Sequence, residues 1–230
     1  MDFEIRFWCV RLSRHRICPG ERPVNALTHL LIATSNEGKR AEIQLLLSDL
    51  PVSLFDLRNF PAIEPIAETG ATFVDNASLK AIGYATQTGL LTLADDSGLE
   101  VDALGGAPGV RSARYTGASA SDAERIEALL AALAFVDQSK RSARFVSAVV
   151  IADSKREILH ISVGKCEGRI AFAARGAGGF GYDPVFIPNG GDLTFAELKP
   201  ESKNEISHRA RALATTRAYL LGLTAATGAD

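Results

Sequence analysis

Two adjacent carboxylates end an apolar run in the stretch Leu93-Ala94-Asp95-Asp96-Ser97-Gly98-Leu99. Leu90 to Ala94 reads as a buried strand, which leaves the carboxylates at its end, where open α/β sheets place their ligands. Two neighbouring carboxylates on a rigid support make a hard-oxygen site for Mg²⁺ or Mn²⁺, or supply a general base. An isolated Asp-Asp-Ser-Gly is more often a polar turn leaving a sheet. Three further blocks change that weighting.

The first is Thr34-Ser35-Asn36-Glu37-Gly38-Lys39, a polar loop between the strand Leu30–Ala33 and a helix with Ile43, Leu46, Leu47 and Leu50 on one face. A strand–loop–helix unit aims helix N–H groups at whatever occupies the loop. Gly38 permits close backbone approach and Lys39 adds a point charge, which suits a polyphosphate. The spacing is not that of a Walker A loop, and an ordinary turn with a solvated lysine reads equally well. The second block runs from Glu68-Thr69-Gly70 into a helix capped by Thr72, with Phe73, Ala77, Ala81 and Tyr84 on one face. Asn76 and Lys80 are i, i+4 neighbours, and Glu68 precedes the helix. A capped amphipathic helix with solvated polar residues accounts for all of it except Glu68. The third block is Gly178-Gly179-Phe180-Gly181-Tyr182-Asp183, followed by Lys203 and Ser207-His208-Arg209. Aromatic rings flanked by close-approaching backbone can stack on a flat base, and the cations bring donors. A flexible glycine loop and a helix start are the plain alternatives.

The elements that must carry these blocks alternate. Strands are expected near 29–34, 52–56 and 90–94, with helices at 38–48 and 72–88. Ser121 caps a helix over 121–134, and 143–152 with 157–168 form a hairpin around Asp153-Ser154-Lys155. A short strand near 185–187 and a helix over 204–222 complete an α/β pattern with a mixed sheet. Gly105-Gly106-Ala107-Pro108-Gly109 marks irregular chain beyond the carboxylates.

With these blocks, and with Ser112-Ala113-Arg114-Tyr115, the chain resembles the inosine triphosphate pyrophosphatase family, also called non-canonical purine NTP pyrophosphatases or XTP/dITP diphosphatases. The matches keep the family's order over about residues 28 to 222. The resemblance implies an elongated, two-lobed α/β fold around a mixed sheet with flanking helices, with substrate in the cleft, and a homodimer. It implies Mg²⁺-dependent, or Mn²⁺-dependent, hydrolysis of ITP, dITP and XTP to the monophosphate and pyrophosphate. Asp96 matches the catalytic base, and Asp96 with Glu68 the metal ligands. Thr34, Ser35, Asn36, Glu37, Gly38, Lys39 and Lys80 match the phosphate site, and Ser97 a substrate contact. Phe180, Gly181, Tyr182, Asp183, Lys203, His208 and Arg209 match the base-recognition wall. Asp95 is expected to support Asp96, or the metal through water. Asp75, where a Glu is usual, and Arg111 depart from the commoner pattern without touching these residues.

Composition agrees with a soluble cytoplasmic enzyme. The 230 residues carry 25 basic and 27 acidic side chains, which gives no electrostatic footprint for nucleic acid. No apolar run approaches the ~18 residues of a membrane span. Cys9, Cys18 and Cys166 are an odd number without framework or zinc spacing. Residues 28–230 are assigned to the catalytic domain. Residues 1–27, with Arg6, Arg11, Arg14, Arg16 and Arg22, form an extension. It reads first as a start-site artefact, then as a disordered tail, then as a transit peptide, against which Asp2, Glu4 and Glu21 argue. The enzymatic alternative is a house-cleaning pyrophosphatase for other modified nucleotides on a similar fold. A non-catalytic nucleotide-binding module and an RNA-binding protein are the other classes. The first conflicts with the presence of Asp96, Glu68 and Lys39, and the second with the lack of a basic face.

Overall fold

A computed structural model describes residues 10–12, 15–17 and 29–227. The expectations for residues 1–27 fall largely outside the described residues. Within them, β1 (Val10–Leu12) pairs antiparallel with β2 (His15–Ile17).

The rest is built on one six-stranded mixed sheet. In chain order it contains β3 (His29–Ile32), α1 (Glu37–Leu46), β4 (Ser53–Asp56), α2 (Phe73–Thr88), β5 (Leu91–Val101) and α3 (Asp122–Ala132). Then come β6 (Ser142–Ala152), β7 (Ile158–Ile170), β8 (Phe186–Pro188), α4 (Pro200–Ile206) and α5 (His208–Thr227). The spatial order is β4-β3-β5-β6-β7-β8. β4, β3 and β5 run parallel, and each remaining pair is antiparallel. The expected α/β class and hairpin are therefore present. Short 3-10 turns at Asp102–Leu104 and Gly109–Arg114 bracket the expected irregular stretch 105–109.

Side chains alternate across a strand, so both faces of this sheet need cover. On β3, Leu30 and Ile32 pack with α1 and α5, while Leu31 and Ala33 pack with Phe73, Ala77 and Ala81 of α2. On β5, Leu91 and Leu93 join the first core and Ala94 the second. A third core, with Leu99, Ile126, Leu129, Phe145, Phe186 and Phe195, sits under α3 at the far end. Helix starts follow the sequence. Thr72 with Asp75, and Ser121 with Glu124, form reciprocal capping boxes.

Two expectations need correction. The strand expected to end at Ala94 continues to Val101. Asp, Ser and Gly disfavour strands, but β6 pairs with β5 residue by residue from Thr92 to Val101 and overrides that preference. What does end is the pairing with β3, whose register stops at Ile32–Leu93. The carboxylates thus lie where one edge of β5 loses its neighbour, not at a strand end. The helix expected over 204–222 is broken: Ser207 is extended (φ −66°, ψ 157°) between α4 and α5. Its hydroxyl accepts from the Ala210 N–H, as an N-cap does.

Candidate active site

Strand alternation sends the two carboxylates to opposite faces of the sheet. Asp96 follows the parity of Ala94 and faces α2, whereas Asp95 follows Leu93 and faces α1 and α5. The adjacent carboxylates therefore do not form a joint metal site, because neighbours on a strand diverge.

On the α2 side, Lys80 gathers the acids. Its Nζ lies 3.0 Å from Asp96 Oδ1 and 2.9 Å from Glu68 Oε1, and donates to the Asp95 carbonyl at 2.9 Å. One turn earlier, Asn76 Nδ2 donates to Asp96 Oδ2 at 3.3 Å. Arg114 reaches the other oxygen of Glu68 at 3.4 Å. Burial pushes the Asp96 carboxyl above its ordinary range, aided by the charge of Glu68 and opposed by Lys80 and Lys39. Burial also acts on Glu68, but Lys80 outweighs it and holds that carboxyl below its usual value. Lys80 is likewise desolvated, yet Asp96 and Glu68 keep it firmly protonated.

Two carboxylates converging on one ammonium fit a hard divalent cation. Mg²⁺ is commonly held by one or two carboxylates, with phosphates and water completing its shell. Among the described residues no cluster of three or more His, Cys, Asp or Glu is poised to hold a metal by itself. The donor set therefore suits an ion that arrives with a polyphosphate, and not a closed structural site.

On the other face, Asp95 is 1 % exposed and ringed by donors. Lys39 Nζ lies at 2.9 Å, Ser97 Oγ at 3.0 Å and Arg209 Nη2 at 3.5 Å, and the Ser147 hydroxyl donates to its second oxygen. Burial would raise this carboxyl, but Lys39 and Arg209 outweigh it and hold it far below the ordinary range. Arg209 also donates to Ser97 at 2.8 Å and pairs with Glu42. Glu42 binds Lys203 at 2.7 Å, and Lys203 binds Asp183 at 2.6 Å. Asp183 in turn accepts from the Phe180 N–H at 2.9 Å. The Phe180 ring lies 4.9 Å from Lys203 Nζ and 5.7 Å from Arg209 Cζ, within cation–π range. The break at Ser207 makes this possible, because Lys203 comes from the end of one helix and Arg209 from the start of the next.

His208 stacks on Phe145 at 4.7 Å, and burial beside Arg209 drives its ring well towards the neutral form. Its Nδ1 and the Arg209 Nε are buried without a hydrogen-bond partner among the described residues. Buried polar atoms are seldom left so, and the second belongs to the guanidinium beside the Phe180 ring.

The strand–loop–helix geometry expected around Thr34–Lys39 is present. Thr34 Oγ1 accepts from the Asn36 N–H at 3.2 Å, and Asn36 caps α1 by accepting from the Lys39 N–H at 2.9 Å. Ser35, Asn36 and Glu37 are exposed, and Gly38 lies under the Phe180 ring. Gly181 is anchored through its N–H to Asp122 at 2.7 Å. Tyr182 belongs elsewhere: it is 4 % exposed in the α3 core and donates its hydroxyl to the Ser112 carbonyl at 3.0 Å. Two residues of the network escaped the sequence reading. Glu42 stands three residues after Lys39 on α1, a spacing that shares a face. Ser147 is a polar residue at a buried position inside the apolar run of β6.

Comparison with known proteins places this arrangement. The Ham1 family profile matches residues 30–219. The dITP/XTP pyrophosphatase of Methylococcus capsulatus is 48 % identical over 198 residues, covering 85 % of this chain and 97 % of that protein. That of Vibrio parahaemolyticus is 46 % identical over 197 residues, covering 85 % and 98 %. Among solved structures, a HAM1 protein from Coxiella burnetii superposes with a TM-score of 0.77 at 45 % identity, over 84 % of this chain and 98 % of its own. The Ham1 protein of Staphylococcus aureus gives 0.75 at 37 % identity, over 84 % and 98 %.

Proposed function

The chain belongs to the Ham1 family, and from that premise we propose that it hydrolyses non-canonical purine nucleoside triphosphates (ITP, dITP, XTP) to the monophosphate and pyrophosphate. The observation that carries this reading is the convergence of Glu68 and Asp96 on Lys80, with Lys39 of α1 linking the two faces: its charge acts on Asp96 and Glu68, and it pairs with Asp95, which Arg209 of the wall also reaches.

Phosphoryl transfer needs charge neutralisation and a positioned nucleophile more than covalent help from the protein. The start of α1, with Lys39, binds phosphate oxygens through N–H groups and charge. Lys80 turns its ammonium from the carboxylates towards the phosphates. Asp96 orients the attacking water and takes its proton. Glu68 and Asp96 would hold Mg²⁺, or Mn²⁺, which when bound neutralises charge on the phosphoryl oxygens.

Base choice follows from donors. A 6-oxo purine presents an acceptor where adenine presents an amino group. Lys203 and Arg209 supply donors near Phe180, the proposed stacking platform, and His208, stacked on Phe145 and adjacent to Arg209 in the chain, is the third candidate donor. Leaving such a buried donor unpaired against adenine costs about 1–3 kcal/mol. Guanine shares the 6-oxo group, so its rejection rests on excluding the 2-amino group.

The family match supports residues 28–230 as the catalytic domain. The exposed Ile161 and Val163 on the outer face of β7 support a homodimer. No helix among the described residues is long and apolar enough to cross a membrane; the nucleotide substrate favours the cytoplasm. Phosphorus NMR of an ITP digest tests the reaction. Monophosphate and pyrophosphate support it, whereas IDP and orthophosphate would sink it.

A further inference from the structure

Gly38 is the second residue of α1, a position that tolerates any residue but asks for no glycine, since alanine is the better helix former. One neighbour excludes a side chain there. A Cβ on Gly38 would fall 2.7 Å from both Cγ and Cε1 of Phe180, and its three nearest heavy atoms all belong to that ring. The backbone that carries the ring is held: the Phe180 N–H is tied to Asp183, which Lys203 holds, and the N–H of Gly181 is tied to Asp122 on α3, so a methyl at position 38 must turn the ring itself. The cations of Lys203 and Arg209 stand at 4.9 and 5.7 Å from it.

We infer that Gly38 is the seat of the Phe180 ring, a positioning residue through which the phosphate loop sets the depth of the base platform. The inference rests on the proposed reading of Phe180 as the surface on which the purine stacks. It assigns Gly38 a role distinct from letting a phosphate approach the backbone. In the seating role, a methyl at position 38 displaces the ring, weakens binding of the nucleobase and leaves the phosphates unaffected. In the approach role, the methyl meets the phosphates whatever stands at position 180.

The two roles separate in a double-mutant cycle on the full-length protein: wild type, Gly38→Ala, Phe180→Ala and the double variant. KM and kcat for ITP are measured, together with the Ki of inorganic tripolyphosphate, which has no base. Gly38→Ala should raise the KM for ITP about tenfold, the scale of one lost stacking contact. The tripolyphosphate Ki should stay within about twofold, and Gly38→Ala should change KM by less than about twofold once Phe180 is already alanine. Additive losses in the double variant, a parallel loss of tripolyphosphate binding, or an unchanged KM in Gly38→Ala would each overturn the seat. Should Gly38→Ala fold poorly, the double variant must recover its Tm, because the clash is then gone; no recovery overturns the inference as well. A wild type inactive on ITP would refute the functional reading instead, and the Tm coupling between positions 38 and 180 would still judge the seat.

Discussion

Replacing Asp95 with Asn changes one atom and strands a charge. In the native site Asp95 faces two cations, a partly buried Lys39 at 2.9 Å and a fully buried Arg209 at 3.5 Å. The amide can turn its oxygen towards them and its NH₂ towards Ser147, whose hydroxyl can accept, so hydrogen bonding is largely preserved. The counter-charge is not. Arg209 keeps Glu42, leaving Lys39 as the uncompensated cation. Breaking a buried pair in this way costs about 3–5 kcal/mol. An independent ceiling comes from Lys39 itself, which can escape by losing its proton at pH 7. From an ordinary lysine pKa that costs about 3.4 × 1.36, or roughly 4.6 kcal/mol, and less here because burial already lowers the group. Asp95→Asn should therefore lose about 3–4 kcal/mol. For a chain of this size that is roughly 6–16 °C in Tm. Thermal and urea unfolding at neutral pH measure it, and Lys39→Met placed in the Asp95→Asn background should restore at least about half of the loss by removing the stranded charge. A Tm within about 2 °C of wild type, or no rescue by Lys39→Met, would refute the argument that Asp95 neutralises the far face of the sheet.

Asp96→Asn should behave in the opposite way. Burial disfavours its charge and Lys80 retains Glu68, so the variant should unfold no earlier than wild type while kcat for ITP falls about a hundredfold or more; near wild-type turnover would remove Asp96 from the reaction. Tyr182→Phe should cost about 1–2 kcal/mol through the lost bond to the Ser112 carbonyl, with the KM for ITP unchanged. A raised KM would return Tyr182 to the base wall. Asp56, away from the site, accepts from Arg58 at 3.0 and 2.7 Å, and that hydrogen bonding lowers its pKa. A depressed carboxylate contributes stability above its unfolded pKa and loses it as pH falls below. The urea midpoint of Asp56→Asn should thus lie below wild type at neutral pH and converge with it below about pH 4. A gap independent of pH would contradict that cause.

Much of this was readable in the sequence because local signals and packing agree. Thr72 and Ser121 each precede an acidic residue at the third helical position, and both helices start there. The hairpin of β6 and β7 turns at Asp153-Ser154-Lys155 between two long strand patterns, as expected. Polyphosphate chemistry was legible because Asn36 and Lys39 open a helix directly after a strand. The extent of β5 was not legible, since Asp95-Asp96-Ser97-Gly98 has poor strand propensity and its pairing depends on β6, some fifty residues later in the chain. Reading a turn there let both acids share one site, because a turn permits neighbouring carboxylates to converge and a strand forbids it; only the family resemblance set Asp96 apart from Asp95. The break at Ser207 does carry a signal, a capping serine inside an otherwise helical pattern. Glu42 carries none, because helix periodicity marks apolar faces and its partners Lys203 and Arg209 lie far along the chain.

The central claim is that the Glu68–Asp96–Lys80 convergence cleaves a triphosphate while the Phe180–Lys203–Arg209 wall selects its base. The most direct measurement is pyrophosphate release from ITP, with ATP and GTP in parallel, each with Mg²⁺ and with chelator. The account predicts fast release from ITP alone, abolished by the chelator. Equal rates on ATP would contradict the assignment of the wall, and orthophosphate release or indifference to the chelator would contradict the chemistry assigned to Glu68 and Asp96.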